Sequence, residues 1–502
     1  MTRGRLVVHA HFYQPTRVDP FTGELPADVA AAPYRDWNAR ITAECYRPNA
    51  EHGSLARASW DLGPTLSHYL ADNAPDVLAG FARADRLGGG ENDGPAIAQA
   101  FHHSILPYAP LHDRRTEIRW GLRDFEARFG RMPTAIWFPE TAVDLSTLRV
   151  AAEEGVAGTV LAPWQADTPH LEARAYRVDV GQGRHIAVAF YDGDLSGSVS
   201  FNAALTSDAE AFARDRVAPR LASPLADGSA PTIVIASDGE LYGHHQRYRD
   251  MFLQALVDPA PGTPDRGFDV VTLASLLREP GGRPHREIRI RERTSWSCHH
   301  GVLRWGAECP DVPDGRWKTP LRGALDRLAG AIDTVTEAFT ADLPGLDDIW
   351  RARDGYVDVV IGLVAPEDYA AACLGPHSPA DDRRRLAAIL EAQRLAPRDV
   401  RLRRLVLGRP DPSRDRPEPA RGGAGREDRG PARGHEPRGP PRGRPVRPAL
   451  ARGRQRRGHH LPARARGGRP AAAGPVTGSW AGGGARSAAL RPTRRAVATL
   501  AR

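Results

Sequence analysis

Short apolar runs alternating with helix-patterned segments, most of the runs ending in polar or ionisable groups, constrain this chain more than any other feature. The runs are RLVVHAHF (5–12), TAIWFPE (134–140), GTVLAP (158–163), HIAVAFYD (185–192) and TIVIASDGE (232–240). Runs of this length and composition read as strands buried on both faces. Between them, RTEIRWGLRDFEARFG (115–130) and LSTLRVAAEEG (145–155) have helical spacing, and each closes on a glycine suited to cap a C-terminus. Strand and helix in alternation predict an α/β fold with a parallel sheet, either a barrel or doubly wound. Neither G-x-G-x-x-G after the first run nor G-x-x-x-x-G-K-[ST] anywhere is present, which favours a barrel-like catalytic domain over a nucleotide-binding sheet.

In parallel α/β folds ligands bind at the carboxyl ends of the strands. Here those ends supply His9, His11 and Gln14 from VVHAHFYQP, Glu140 from AIWFPE, Asp192 and Asp194 from AFYDGD, and Asp238 and Glu240 from IVIASDGE, with His244 and His245 just beyond. His9 and His11 are two residues apart and share one face of their strand. Two chemistries fit. Glu140 and Asp238 suit a carboxylate pair for glycoside hydrolysis, while His9, His11, Asp238 and His244 are residue types that bind zinc. Tyr13, Trp137 and Tyr242 place flat apolar faces beside these polar groups, which suits a sugar better than a compact metal site. Structural roles compete: Asp238 as a helix N-cap, His9 and His11 as satisfied core histidines, and Asp192 and Asp194 as turn residues. His102 and His103 are adjacent and cannot face the same way, so one of them is expected to be structural.

The segments HAHFYQP, AQAFHHSILP, AIWFPETA and ASDGELYGHH resemble, in order, the successive characteristic regions of glycoside hydrolase family 57. HFYQPTR, ECYRPNA, GPTLSHYL, WGLRDFEARFGRMP and TSWSCHHGVLRW are similar to the subgroup whose C-terminal half is domain of unknown function 3536. The resemblance spans roughly residues 5–400. It implies a (β/α)7 barrel followed by a helical domain, and retaining action on α-glucans by hydrolysis or transglycosylation without a cofactor. It also implies that Glu140 is the nucleophile and Asp238 the general acid/base. His11 and His103 match positions lining the sugar site; His9, Trp137, Glu240 and His244 are expected to contact or support substrate. One departure is SWDLGPTL, where the subgroup usually has an Asn-containing strand end. A metal-dependent carbohydrate deacetylase or amidohydrolase, and an inactive glycan-binding protein, are the competing readings.

From about residue 286 the pattern changes. TPLRGALDRLAGAIDTVTEAF (319–339) and DDRRRLAAILEAQRLA (381–396) read as amphipathic helices. The expected organisation is therefore a catalytic barrel over 1–285, a partly helical C-terminal domain over 286–408, and a disordered tail over 409–502. SWSCHHGVLRWGAEC contains Cys298, His299, His300 and Cys309, types a zinc site uses, but their spacing differs from the common structural sites. The expectation is no metal, with Trp296 and Trp305 anchoring this loop to the barrel. None of the four cysteines forms a Cys-x-x-Cys pair, so a disulfide framework is not expected.

The basic balance of +8 invites a nucleic-acid partner, but its location argues otherwise. Residues 409–502 hold 23 Arg against 6 acidic residues, whereas the remainder holds 46 basic and 55 acidic residues. The tail is an Arg/Gly/Pro/Ala mixture without hydrophobic period, and cannot bury enough surface to offset its ordering entropy. Lys318 is the sole lysine, which suggests very GC-rich coding. Out-of-frame translation beginning near 400–412 would produce such a tail; a natural basic arm is the alternative, and resequencing the locus separates them. No run approaches the roughly 18 apolar residues of a membrane span, and no signal-like segment opens the chain, so a cytoplasmic location is expected.

Overall fold

The computed structural model describes residues 3–395 except 20–21, 90–93, 279–283 and 312–313. The strands are β1 (Gly4–Phe12), β2 (Ser59–Leu62), β3 (Ala96–Gln99), β4 (Ile136–Trp137), β5 (Gly158–Leu161), β6 (Ala175–Gly181), β7 (Arg184–Phe190), β8 (Thr232–Asp238), β9 (Phe268–Val270) and β10 (Arg286–Glu287). β4, β3, β2, β1 and β8 form one parallel row, β5 and β7 a second parallel pair, and β6 folds back antiparallel on β7. The two sheets meet where Ala135 bridges Gly158 in parallel. They meet again where the Asp192 N–H, just past β7, donates to the Val234 carbonyl of β8 at 2.8 Å. Seven parallel strands thus ring a common lumen among the described residues, the (β/α)7-type barrel expected from the sequence.

Strand alternation explains why polar groups enter that lumen. In β1, Leu6, Val8, Ala10 and Phe12 pack outward with the helices, while Val7 joins the inner cluster with Val234, Ala236 and Trp137. His9 and His11 continue the face of Val7, and Asp238 continues that of Val234 and Ala236. Pairing puts His11 opposite Asp61 of β2 on one side and opposite Asp238 of β8 on the other. The lumen is apolar at its base and polar at the carboxyl ends of the strands.

The helix Leu111–Phe129 ends at Gly130 (φ 73°), as the C-cap pattern predicts. It also receives the C-terminal helices, among them Lys318–Thr340, Ile349–Gly355 and Ala380–Leu395. Trp120 packs with Ile349, Tyr356, Leu386 and Leu390, and its indole N–H donates to the Asp354 carbonyl at 3.0 Å. Arg353 is buried there, donating to Asp113 and Thr116 at 2.7 Å each, so its charge is paired. No helix among the described residues is long and apolar enough to cross a membrane. The tail expected over 409–502 lies outside the described residues.

Candidate active site

At the carboxyl end of the barrel is a cavity of about 500 Å³ whose wall includes His11, Tyr13, His103, Glu140, Trp164, Tyr191, Asp238, Glu240, His245 and Trp296. Tyr13, Trp164, Tyr191 and Trp296 give it flat apolar faces beside its ionisable groups. Such a mixture of aromatic surface and a few convergent polar groups is typical of a small-molecule site, and the volume lies within the usual range of about 300–1,000 Å³.

Glu140 follows β4 in a tight turn where its backbone takes φ 57°, ψ 21°. That left-handed geometry is uncommon for a non-glycine residue, and such strain concentrates at functional positions. Its Oε2 accepts from the Trp296 indole N–H at 3.1 Å and from the Ser297 hydroxyl at 2.7 Å. The Trp296 backbone N–H also donates to the Glu140 carbonyl at 3.0 Å. The loop after β10 therefore reaches the carboxylate and fixes one of its oxygens with two donors.

Asp238 ends β8 with its carboxyl exposed to the cavity while ringed by protein. Desolvation pushes its pKa up to about 6; the charges of Glu140 and Asp61 add to this and His11 opposes it. Next to it, Gly239 lies against Phe12, so a Cβ at this position would drive into that buried ring. A glycine between the two acids is a packing requirement. Glu240 is buried and pushed up to about 7, chiefly by desolvation. Its Oε1 accepts from the Tyr46 hydroxyl at 2.5 Å and the Tyr13 backbone N–H at 3.2 Å, which ties it to the wall.

Beneath the carboxylates lies a polar network centred on Asp61, which is fully buried. Asp61 accepts from His9 Nε2 at 3.0 Å, from His11 Nδ1 at 2.8 Å and from the Gln99 amide at 2.8 Å. Burial alone would raise Asp61, yet the two histidines hold it below its ordinary value. For His11, burial is outweighed by Asp61, Asp238 and Glu240, and the imidazole is pushed up to about 9. His11 is thus a cation at neutral pH, with Nδ1 committed to Asp61 and Nε2 the nitrogen available to the cavity. His9 is driven the other way by desolvation and stays neutral. Asp61 and Gln99 escape sequence reasoning because their strands, SWDL and AIAQ, are only four residues long and carry no extended apolar run.

The remaining site expectations divide. His103 lines the cavity, stacked on Tyr13 with ring centroids 3.7 Å apart and its pKa held well below the ordinary value by burial. His102 turns away and bonds Glu117 at 2.7 Å, so it is the structural member of the pair. Three expected substrate contacts need correction. His9 and Trp137 are fully buried, with Trp137 stacked beneath His9 and His11 at 5.0 and 4.8 Å, so both support the floor of the cavity and touch nothing in it. His244 faces Glu44 at 2.6 Å, and its neighbour His245 takes the place on the wall. The metal set of His9, His11, Asp238 and His244 also fails to converge: Asp61 occupies two of its imidazoles and Glu44 a third. Among the described residues, ligand atoms converge instead at Cys298, His300, Cys309 and Asp311. His299, the fourth member of the sequence-derived set, packs on Trp164 at 5.0 Å.

The family model for glycosyl hydrolase family 57 matches residues 62–263, and that for domain of unknown function 3536 matches residues 314–396. By this match the chain is similar to glycoside hydrolase family 57. Among solved structures, it is similar to an exo-type maltose-forming amylase from Pyrococcus sp. ST04, with TM-score 0.62 and 14% identity over 78% of this chain and 74% of that one. A family 57 branching enzyme from Pyrococcus horikoshii aligns with TM-score 0.53 and 14% identity over 79% and 88% of the two chains. A second branching enzyme, from Thermococcus kodakaraensis and solved with glucose, gives 0.53 and 17% over 81% and 97%. At these identities the likeness establishes the fold. No curated protein matches the chain in sequence. The family models bear out the resemblance of both halves, and within a barrel of this kind the cavity at the strand ends stands where fold rules put a ligand.

Proposed function

We propose that this chain is a retaining enzyme acting on α-glucans, by hydrolysis or glucanotransfer, with Glu140 as nucleophile and Asp238 as general acid and base. One observation carries the reading: of the three carboxyl groups that line one aromatic-walled cavity, Glu140 is oriented by two fixed donors and Asp238, with no such donor among the described residues, is pushed toward neutrality. Glu140, held by Trp296 and Ser297, attacks the anomeric carbon while Asp238 delivers its proton to the leaving oxygen. Forming the glycosyl ester removes the charge of Glu140. Because that charge helps raise Asp238, the acid weakens its hold on a proton just when it must act as a base. Asp238 then deprotonates water, giving hydrolysis, or a sugar hydroxyl, giving transfer.

The surrounding groups fit these roles. The protonated His11 offers a donor to a sugar hydroxyl or ring oxygen, and Tyr13, Trp164 and Trp296 offer stacking faces. The amylase and branching enzymes with this fold supply the α-glucan assignment by analogy. Glu140→Ala and Asp238→Ala assayed on maltooligosaccharides test the pair: each is expected to lose activity with the fold intact, and full activity in either variant removes that residue from its role. A screen over glycogen, maltooligosaccharides and trehalose-type substrates identifies the acceptor and chain length.

A further inference from the structure

We infer that Cys298, His300, Cys309 and Asp311 form a zinc site that fastens the loop holding Glu140. The ligands come as two pairs, Cys-x-His and Cys-x-Asp, separated by eight residues. Their donor atoms converge: the two Sγ atoms are 3.4 Å apart, and His300 Nδ1 lies 3.8 Å from Cys298 Sγ and 3.6 Å from Cys309 Sγ. Asp311 Oδ2 lies 3.3 Å from Cys298 Sγ and 3.2 Å from His300 Nδ1. A tetrahedral zinc ion, with Zn–S about 2.3 Å and Zn–N and Zn–O about 2.0–2.2 Å, requires edges of about 3.4–3.8 Å between its ligands. Five of the six edges are therefore already close to the size of the coordination shell, and all four donor atoms lie within 4.8 Å of one another. At 3.4 Å the sulfurs are not bonded to each other, a disulfide bond being about 2.05 Å. Thiolate and imidazole ligands select zinc over the hard cations magnesium and calcium.

A second observation points to the same ion. Lys318, the only lysine, is fully buried beside these cysteines and donates to the Arg304 carbonyl at 2.7 Å. No ion pair to Lys318 exists among the described residues. Two neutral thiols give a buried ammonium no counter-charge. Zinc binding releases a proton from each thiol, and zinc with two thiolates, one imidazole and one carboxylate carries a single net negative charge next to Lys318. The surrounding loop has a small core of its own, chiefly Ile105, Ala142, Val302 and Trp305, so a metal cross-link would add order that packing does not supply.

The consequence for catalysis rests on the proposed role of Glu140. Cys298 directly follows Ser297, and Trp296 and Ser297 are the two donors to Glu140 Oε2. The ion would thus be a positioning element, with no contact to substrate.

The full chain, stripped with chelator under reducing conditions and titrated with Co²⁺ alone, is expected to develop thiolate-to-cobalt charge transfer and the intense visible bands of a tetrahedral site. The spectrum should saturate at one ion per chain and disappear on addition of Zn²⁺. Cys298→Ser and Cys309→Ser should abolish it. His300→Ala and Asp311→Ala, at exposed positions where folding is not at stake, should weaken binding more than about tenfold. Absence of the bands in the wild-type chain, an undiminished spectrum in the cysteine variants, or a Cys298–Cys309 disulfide in the chain as isolated would overturn the assignment. The readout is independent of turnover: an inactive chain that binds cobalt keeps the metal site and loses only the proposed catalytic role. Loss of the ion should lower kcat with KM unchanged; an unaltered kcat would remove the positioning role.

Discussion

Asp238→Asn removes a charge while preserving the side chain's shape, and its effect on stability follows from the site before any substrate is considered. In the folded chain the carboxyl is pushed from 3.8 to about 6, first by desolvation, with Glu140 and Asp61 adding and His11 opposing. The unfolded chain lacks this environment, so the folded state binds the proton more tightly. The stability this group contributes is therefore fully present below about pH 3.8 and is lost as pH rises through about 6. A shift of this size corresponds to at most about 3 kcal/mol. Asp238 is exposed where it lines the cavity, and solvent screening there reduces the effect to about 1 kcal/mol. Asparagine carries no such penalty. Urea unfolding of both proteins at about pH 5 and about pH 8 is the assay: the variant should be more stable by about 1 kcal/mol at the higher pH, with the gain shrinking at the lower, while turnover is lost. A variant of equal or lower stability at high pH, or one whose gain does not change with pH, would refute the environment assigned to Asp238.

For the active enzyme, kcat/KM should fall about tenfold per pH unit above pH ~6 as Asp238 loses its proton, and a flat profile to pH 8 would assign the acid elsewhere. Ser297→Ala removes one hydrogen bond to a carboxylate, worth about 1.5–3 kcal/mol; kcat is expected to drop 10- to 100-fold with the far-ultraviolet spectrum unchanged. Asp61→Asn leaves the buried His11 without its counter-charge, at a cost of about 3–5 kcal/mol. Nuclear magnetic resonance should show the His11 pKa falling from about 9 towards or below neutrality. Gly239→Ala forces a methyl into the Phe12 ring, an overpacking cost of about 1–3 kcal/mol measurable by urea unfolding.

The carboxylates proposed for catalysis are legible because each terminates an apolar run, and the barrel because such runs alternate with helical segments. What was not legible is what depends on register and on long-range return of the chain. Asp61 becomes visible only once β1 and β2 are paired, which sets it opposite His11. Trp137 looks like a site residue because it lies three positions before Glu140, but it faces the lumen one layer below, under His9 and His11. The zinc-type cluster was masked for a related reason. Its residue types are evident in SWSCHHGVLRWGAECPD, yet the loop turns at Gly301 (φ 68°) and brings Asp311 to His300 while His299 is directed to Trp164. Spacing rules for common zinc motifs do not contain that arrangement.

The central claim is that Glu140 forms the covalent intermediate. Its most direct test is to incubate the full chain with a 5-fluoro-α-glucosyl fluoride, which slows breakdown of a glycosyl-enzyme, and then to digest it and sequence the labelled peptide by mass spectrometry. The account predicts one glycosyl ester per chain, on Glu140. A label on Asp238 or Glu240, or turnover of the reagent at the wild-type rate by Glu140→Gln, would contradict it.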